Sequence, residues 1–198
     1  MASPSPCDRR LFPPPHKAHT NARAICRQAG IASDSTDRIL QMIEWVGCSE
    51  NGNSVPPEVV ADGSYHLLIP RWSDRLEAVG AIGVVRCFQY NCEKKLPLCS
   101  EASPRARTEE QVFALATPDR FARYLRGGIS EDMISHYYDK LLHVARPPPE
   151  IVSNRYLEDA GMDSCRELVQ VCVRFGNTGE VDQEYILSLA KVLTGQCE

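Results

Sequence analysis

The chain has 198 residues, 43% of them hydrophobic and 24% charged, and a formal net charge of −4 at pH 7. That suits one globular domain with a sizeable core, and the acidic balance argues against a nucleic-acid or anionic-membrane binder, which needs a basic surface. No apolar run approaches the roughly 20 residues that span a bilayer, and Met1–Pro6 lacks the basic and apolar regions of a signal peptide, so a cytoplasmic protein is expected. The first 15 residues, rich in Pro and Ser, read as an irregular segment, and 16–198 as a single domain.

Pro13–Pro15 suit a helix that starts just after them, so His16–Ala29 is predicted helical with Gly30 as its stop. Ser35 is a candidate N-cap with Asp37 in the first turn. Ile39, Leu40, Ile43 and Val46 follow at helical spacing. Cys48–Pro57, with Asn51, Gly52, Asn53 and two prolines, reads as a loop. Tyr65–Ile69 is a short apolar run with no partner strand, and reads as a helix start or buried connector. Ser73–Phe88 is the strongest helical stretch and is nearly apolar all round after Glu77, which predicts a central helix. Its Gly80 and Gly83 each cost about 1 kcal/mol relative to alanine, a cost that close packing or ligand access would explain.

Asn91–Thr108 reads as a loop and Glu109–Ala116 as a short helix. Thr117-Pro118-Asp119 opens another helix to Leu125, broken by Gly127-Gly128. Ser130 is read as the cap of the next helix, with Glu131 and Asp132 in its first turn. Ile134, Tyr137, Tyr138, Leu141 and Ala145 form its apolar face, and Pro147–Pro149 end it. Two more helices are expected, roughly Asp163–Phe175 and Asp182–Leu193, the second stopped by Gly195. With no βαβ alternation and no internal repeat, the predicted fold class is all-α.

The run Arg71-Trp72-Ser73-Asp74-Arg75-Leu76-Glu77-Ala78-Val79-Gly80-Ala81-Ile82-Gly83-Val84-Val85-Arg86 is similar to the later half of a subgroup of HD-domain metal-dependent phosphohydrolases. Ile134-Ser135-His136-Tyr137-Tyr138-Asp139-Lys140-Leu141-Leu142 resembles a second, helical motif of that subgroup, and the likeness runs from about Asp8 to about Phe175. The resemblance implies an HD-domain-like helical bundle, N-terminally incomplete. It implies hydrolysis of phosphate esters or anhydrides with a divalent metal such as Mn²⁺ or Mg²⁺, which polarises the phosphoryl oxygen and activates water. The expected ligand is a phosphorylated small molecule or nucleotide.

By position, Asp74 matches the family's later metal-binding aspartate. A carboxylate near a helix N-terminus is stabilised as the anion, which suits that role. Asp8 falls on an acidic position suited to general acid–base work. Arg75, His136 and Lys140 are the expected phosphate contacts, with Arg86 able to join them or to pair with Glu77 or Asp74. The chain departs from the family at Pro4-Ser5, which stand where the histidine–aspartate doublet belongs, and the earlier histidine would precede Met1. Little hydrolytic activity is therefore expected from the chain as written. The alternative is a catalytically silent module that binds a ligand or a partner protein. Loss of one or two leading helices would bare the apolar surface of the central helix, which predicts marginal stability or self-association.

Other polar clusters carry less. His16 and His19 share a helical face and are expected to be solvated. His136, Lys140 and His143 form a stripe at i, i+4 and i+7, either water-facing or the wall of a cleft. The Ser49–Ser54 loop offers donors to a phosphate or base. The nine cysteines are odd in number and none are spaced C-x-x-C, which predicts reduced thiols. Cys87, Cys92 and Cys99 with His66 match no standard zinc spacing.

Overall fold

Proline and glycine set most of the helix boundaries. The computed structural model describes residues 15–195, with side chains from residue 19 onward, and among these residues there is no strand. The architecture is an all-α bundle. Helix α1 (Pro15–Gln28) starts on a proline and is followed by Gly30 at φ 71°. Helix α2 (Ser33–Val46) begins two residues before Ser35, so Asp34, not Asp37, lies in its first turn. Two short helices, α3 (Cys48–Asn51) and α4 (Pro57–Asp62), occupy and follow the stretch read as a loop. A 3₁₀ turn (Tyr65–Leu68) runs straight into α5 (Ile69–Val79).

The predicted central helix is two helices. After α5 the chain is extended at Gly80 (φ −82°, ψ −169°) and restarts as α6 (Ala81–Lys94). A Cβ on Gly83 would lie 1.9 Å from the Ala78 carbonyl oxygen, so the first turn of α6 abuts the end of α5 and only glycine fits. The small residues mark a corner that the helical period alone does not show. Helix α6 also runs past Asn91, whose buried Nδ2 donates to the Cys87 carbonyl at 2.8 Å.

Helices α7 (Glu109–Leu115) and α8 (Pro118–Gly127) follow as predicted, with Thr108 capping the first through the Gln111 amide at 3.3 Å. The next helical run has three parts: α9 (Met133–His136), a π turn (Tyr137–Leu141) and α10 (Leu142–Ala145). Its cap is Asp132 rather than Ser130. One Asp132 oxygen accepts from the Ser135 amide at 2.7 Å. The other accepts from the hydroxyls of Ser100, Ser103 and Ser135 at 2.7, 2.8 and 3.1 Å. Those bonds allow the carboxylate to be buried with no ion pair among the described residues.

Pro149 then opens α11 (Pro149–Val152), and α12 (Arg155–Ser164), capped by Asn154, occupies ground the sequence reading left open. Asp163 belongs to α12, and α13 (Arg166–Thr178) starts after it. Helix α14 (Gln183–Thr194) ends at Gly195.

Two apolar clusters hold these elements. In the larger, Leu168, Cys172 and Phe175 of α13 are fully buried with Val84 of α6 and Tyr137 and Tyr138 of the π turn. The smaller joins Trp45, Val59, Leu68, Trp72, Val152 and Leu157. Because α14, α13 and α9 all pack on α6, Ile82 is its single exposed large apolar side chain. The bare central-helix surface expected to drive self-association is therefore not found among the described residues. No helix among them is long and apolar enough to cross a membrane.

Candidate functional site

The two sequence motifs meet in space. Helix α5 packs against α10, at the end of the second motif, while α8 lies along the π turn. Lys140, in the π turn, is half-buried with its Nζ over the Tyr124 ring, 5.5 Å from the centroid. It lies within electrostatic reach of both Asp74 and His136. Lys140 thus has an expected site residue from each motif within electrostatic reach.

Asp74 is exposed and sits in the second turn of α5, not at its start, because Pro70 fits the first turn and the helix begins at Ile69. The expected stabilisation of its anion by a helix N-terminus is not available there. Lost hydration around the carboxyl raises its pKa, Glu77 adds to the rise, and Arg75, Arg86 and Lys140 oppose it. The Arg86 guanidinium pairs with exposed Glu77 at 3.0 Å, a surface contact of little energetic weight.

His136 is half-buried, edge-on to Tyr124 at 5.5 Å between ring centroids, with Nδ1 3.5 Å from the Ser130 hydroxyl. Burial, reinforced by the Lys140 charge, pushes its pKa down to about 3, so the ring is neutral at physiological pH. His143 stacks on Phe121 at 4.8 Å and hydrogen-bonds the Tyr138 carbonyl through Nε2 at 3.1 Å. Between them Asp139 pairs with Arg120 of α8 at 2.9 Å. The polar stripe therefore does not face water; it is the seam between α8 and the helix of residues 133–145. Tyr124, Arg120 and Asp139 were missed from sequence. The available signal was Phe121 and Tyr124 at i and i+3 on α8, a face that requires a neighbour. The π turn accommodates two consecutive tyrosines that are both fully buried. Such turns often mark functional positions.

Arg75 stands apart. It is 3% exposed; Nη1 donates to Asn53 Oδ1 at 2.6 Å, Nη2 to the Gly52 carbonyl at 2.5 Å, and the guanidinium covers the Trp72 ring. Asn53 Nδ2 in turn donates to the His143 carbonyl at 3.0 Å. Arg71 donates to the carbonyls of Trp45 and Ser54, each at 2.7 Å. The expected phosphate contact at Arg75 is instead a clamp on the 52–54 loop, and that loop, expected to offer donors to a ligand, is fastened to α5 and α10. The guanidinium geometry favours several carbonyl oxygens at once.

Asp8, Pro4-Ser5 and the side chain of His16 lie outside the described residues. His19 is 3.4 Å from Glu44 of α2 instead of standing free in solvent. Among the described residues no three His, Cys, Asp or Glu side chains are grouped to hold a metal ion, and the seven cysteines there are unbridged.

No protein-family model matches this chain, and no solved structure matches it significantly. The sequence is 39% identical over 137 residues to the uncharacterized protein L803 of Acanthamoeba polyphaga mimivirus. The match covers 69% of this chain and 54% of the viral protein, about half of that relative's length.

Proposed function

We propose that this chain is a homologue of the HD-superfamily metal-dependent phosphohydrolases, and that the face of Asp74, His136 and Lys140 recognises the phosphate of a small molecule or nucleotide with little or no hydrolysis. The observation that carries this reading is Lys140. It stands between an aspartate from one motif and a histidine from the other, on helices that only tertiary packing brings together. An ammonium group half-shielded by an aromatic ring makes a phosphate contact stronger than it would be in open water. His136, held neutral, serves as a hydrogen-bonding group and not as a second cation.

A divalent metal does not fit the described residues by themselves. Asp74 has one carboxylate neighbour, Glu77, which is itself paired with Arg86, and among the described residues no group of three His, Cys, Asp or Glu side chains forms there. A hard divalent ion needs several oxygen ligands, and one carboxylate leaves most of the shell to water. No hydrolytic step is therefore assigned to Asp74. Asp8 keeps its proposed acid–base role only as a position outside the described residues. The same failure of fit favours a second reading, a catalytically silent module that binds its ligand without turning it over.

Titration of the full chain with a nucleoside triphosphate, in parallel with a hydrolysis panel containing Mn²⁺ or Mg²⁺, tests both readings. Expected are saturable binding, weakened at least about tenfold in Lys140→Met, as loss of a charge-assisted contact of about 1.5 kcal/mol or more requires, and no turnover. Turnover that disappears in Asp74→Asn would overturn the silent reading. Binding that is absent, or indifferent to Lys140, would overturn phosphate recognition at this face.

A further inference from the structure

Three consecutive prolines, Pro147–Pro149, lead from α10 into α11, and Gly161 sits inside α12. Proline fixes its own φ and restricts the residue before it, so the proline stretch is stiff. A Cβ on Gly161 would lie 3.1 Å from the Ala145 carbonyl oxygen and 3.7 Å from Leu76 Cδ2, so α12 lies close against α10 and α5. Between the prolines and these helices is a cavity of about 280 Å³. Trp72, Val79, Val144, Val152 and Leu157 form its inner wall and are all buried. Its mouth is made of Pro148, Pro149 and Met162, which are exposed.

What such a space holds depends on the polar groups it can offer a guest. The charged side chains in its wall are engaged elsewhere. Arg75 gives Nη1 to Asn53 Oδ1 and Nη2 to the Gly52 carbonyl. Arg146 Nη2 donates to Glu109 at 2.5 Å, and its guanidinium lies over the Phe113 ring, 3.5 Å from the centroid. Glu158 Oε1 accepts from the Asn154 amide at 3.2 Å. Trp72 Nε1, Arg75 Nε and Arg146 Nε are sealed in the protein, out of reach of anything in the cavity. Water confined there needs about two to four polar partners, so an apolar molecule that displaces it gains affinity. A charged molecule would give up its hydration for an apolar wall, which is costly.

We propose that this cavity binds a small uncharged hydrophobic molecule, packed against Trp72, Val79, Val152 and Leu157 and admitted past Met162. At about 30 Å³ per water-sized volume, the space suits about eight to ten non-hydrogen atoms, the size of one substituted aromatic ring. The proline wall is set before binding, so little freedom is lost when the guest enters. Met162, unbranched and exposed, can turn aside without disturbing the core. The proposal is separate from phosphate recognition at Lys140. Trp72 and Val79 share one face of α5, whereas Asp74 lies about 200° round the helix from Trp72.

Ethylbenzene is a suitable probe, with benzylammonium as its charged counterpart of equal size and benzoate as an anion. Calorimetric titration of the full chain should show saturable binding of ethylbenzene at about 1 mM or tighter, an affinity that this number of well-placed heavy atoms can supply. Both ions should bind at least about tenfold more weakly. The chain has two tryptophans, so in Trp45→Phe the emission of Trp72 reports on the cavity wall and should change over the same concentration range. Val152→Phe, which fills the cavity, should abolish binding; if that variant does not fold, Met162→Trp at the mouth takes its place. No saturable binding of ethylbenzene would overturn the proposal and leave the cavity to water or to an apolar side chain of a partner protein. Equal or tighter binding of either ion, heat of binding with no change in Trp72 emission, or unchanged binding in the filled variant would each overturn it as well.

Discussion

Removing the Asn53 side chain tests how the two motif helices are held together. Asn53→Ala deletes two hydrogen bonds: the acceptor for Arg75 Nη1 at 2.6 Å and the donor to the His143 carbonyl at 3.0 Å. The first is a bond to a charged group that is almost wholly buried, so about 1.5–3 kcal/mol is at stake, and the second adds about 1 kcal/mol. Asn53 itself is half-buried, and water entering its place returns part of that, leaving a net loss of about 2–3 kcal/mol. For a chain of this size the corresponding fall in Tm is about 4–12 °C. Urea unfolding followed by circular dichroism measures the loss directly, provided the slope against denaturant is unchanged. Asn53→Asp separates the two bonds, because it keeps an acceptor for Arg75 and removes the donor to His143; its loss should be smaller. A change below about 0.5 kcal/mol for Asn53→Ala, the range of an ordinary surface substitution, would refute the clamp.

Asp132→Ala should cost about 3 kcal/mol or more in the same assay, because it removes a helix cap and the shared acceptor of three hydroxyls. Asp132→Asn, which keeps an oxygen for the cap, should cost less. Gly83→Ala should destabilise by about 1–3 kcal/mol through collision with the Ala78 carbonyl, although alanine is the better helix former by about 1 kcal/mol. A neutral or stabilising result would show that the corner relaxes freely. His136 titrates near 3 in the folded chain and near 6.5 unfolded, so between those values the unfolded chain binds more protons. Its contribution to stability is therefore full above about pH 6.5 and declines as pH falls toward 3. His136→Gln should flatten the slope of unfolding free energy between about pH 4 and 6 by up to one proton's worth. NMR titration that finds the folded His136 ring protonating near 6.5 would contradict the burial assigned to it.

Local signals were sufficient for most helix positions. Pro118, Gly30, Gly128 and Gly195 act on the backbone within a residue or two of themselves, so their effect needs no neighbour in space. The apolar period found the buried face of residues 133–145 for the same reason. The failures were nonlocal. Gly83 looked like a tolerated helix interior because the group it must avoid, the Ala78 carbonyl, comes into contact only once the chain has turned at Gly80. Ser130 and Asp132 are equally good caps by type; three serines, two of them about thirty residues upstream, chose Asp132.

At the candidate site, sequence by itself picked out Asp74, His136 and Lys140 as residues of one resemblance, and packing brought Lys140 within electrostatic reach of the other two. It could not tell that Arg75, adjacent to Asp74, points to the other side of the helix and into a clamp. That distinction rests on a 100° step per residue together with partners twenty to ninety positions away. Nor could it foresee the electrostatics, since an aspartate's hydration and a histidine's burial are set by what packs around them. Residue type and period determined which helices form; the tertiary contacts decided which of their polar groups are buried and which stay exposed, because burial and hydrogen-bond partners exist only in the folded chain.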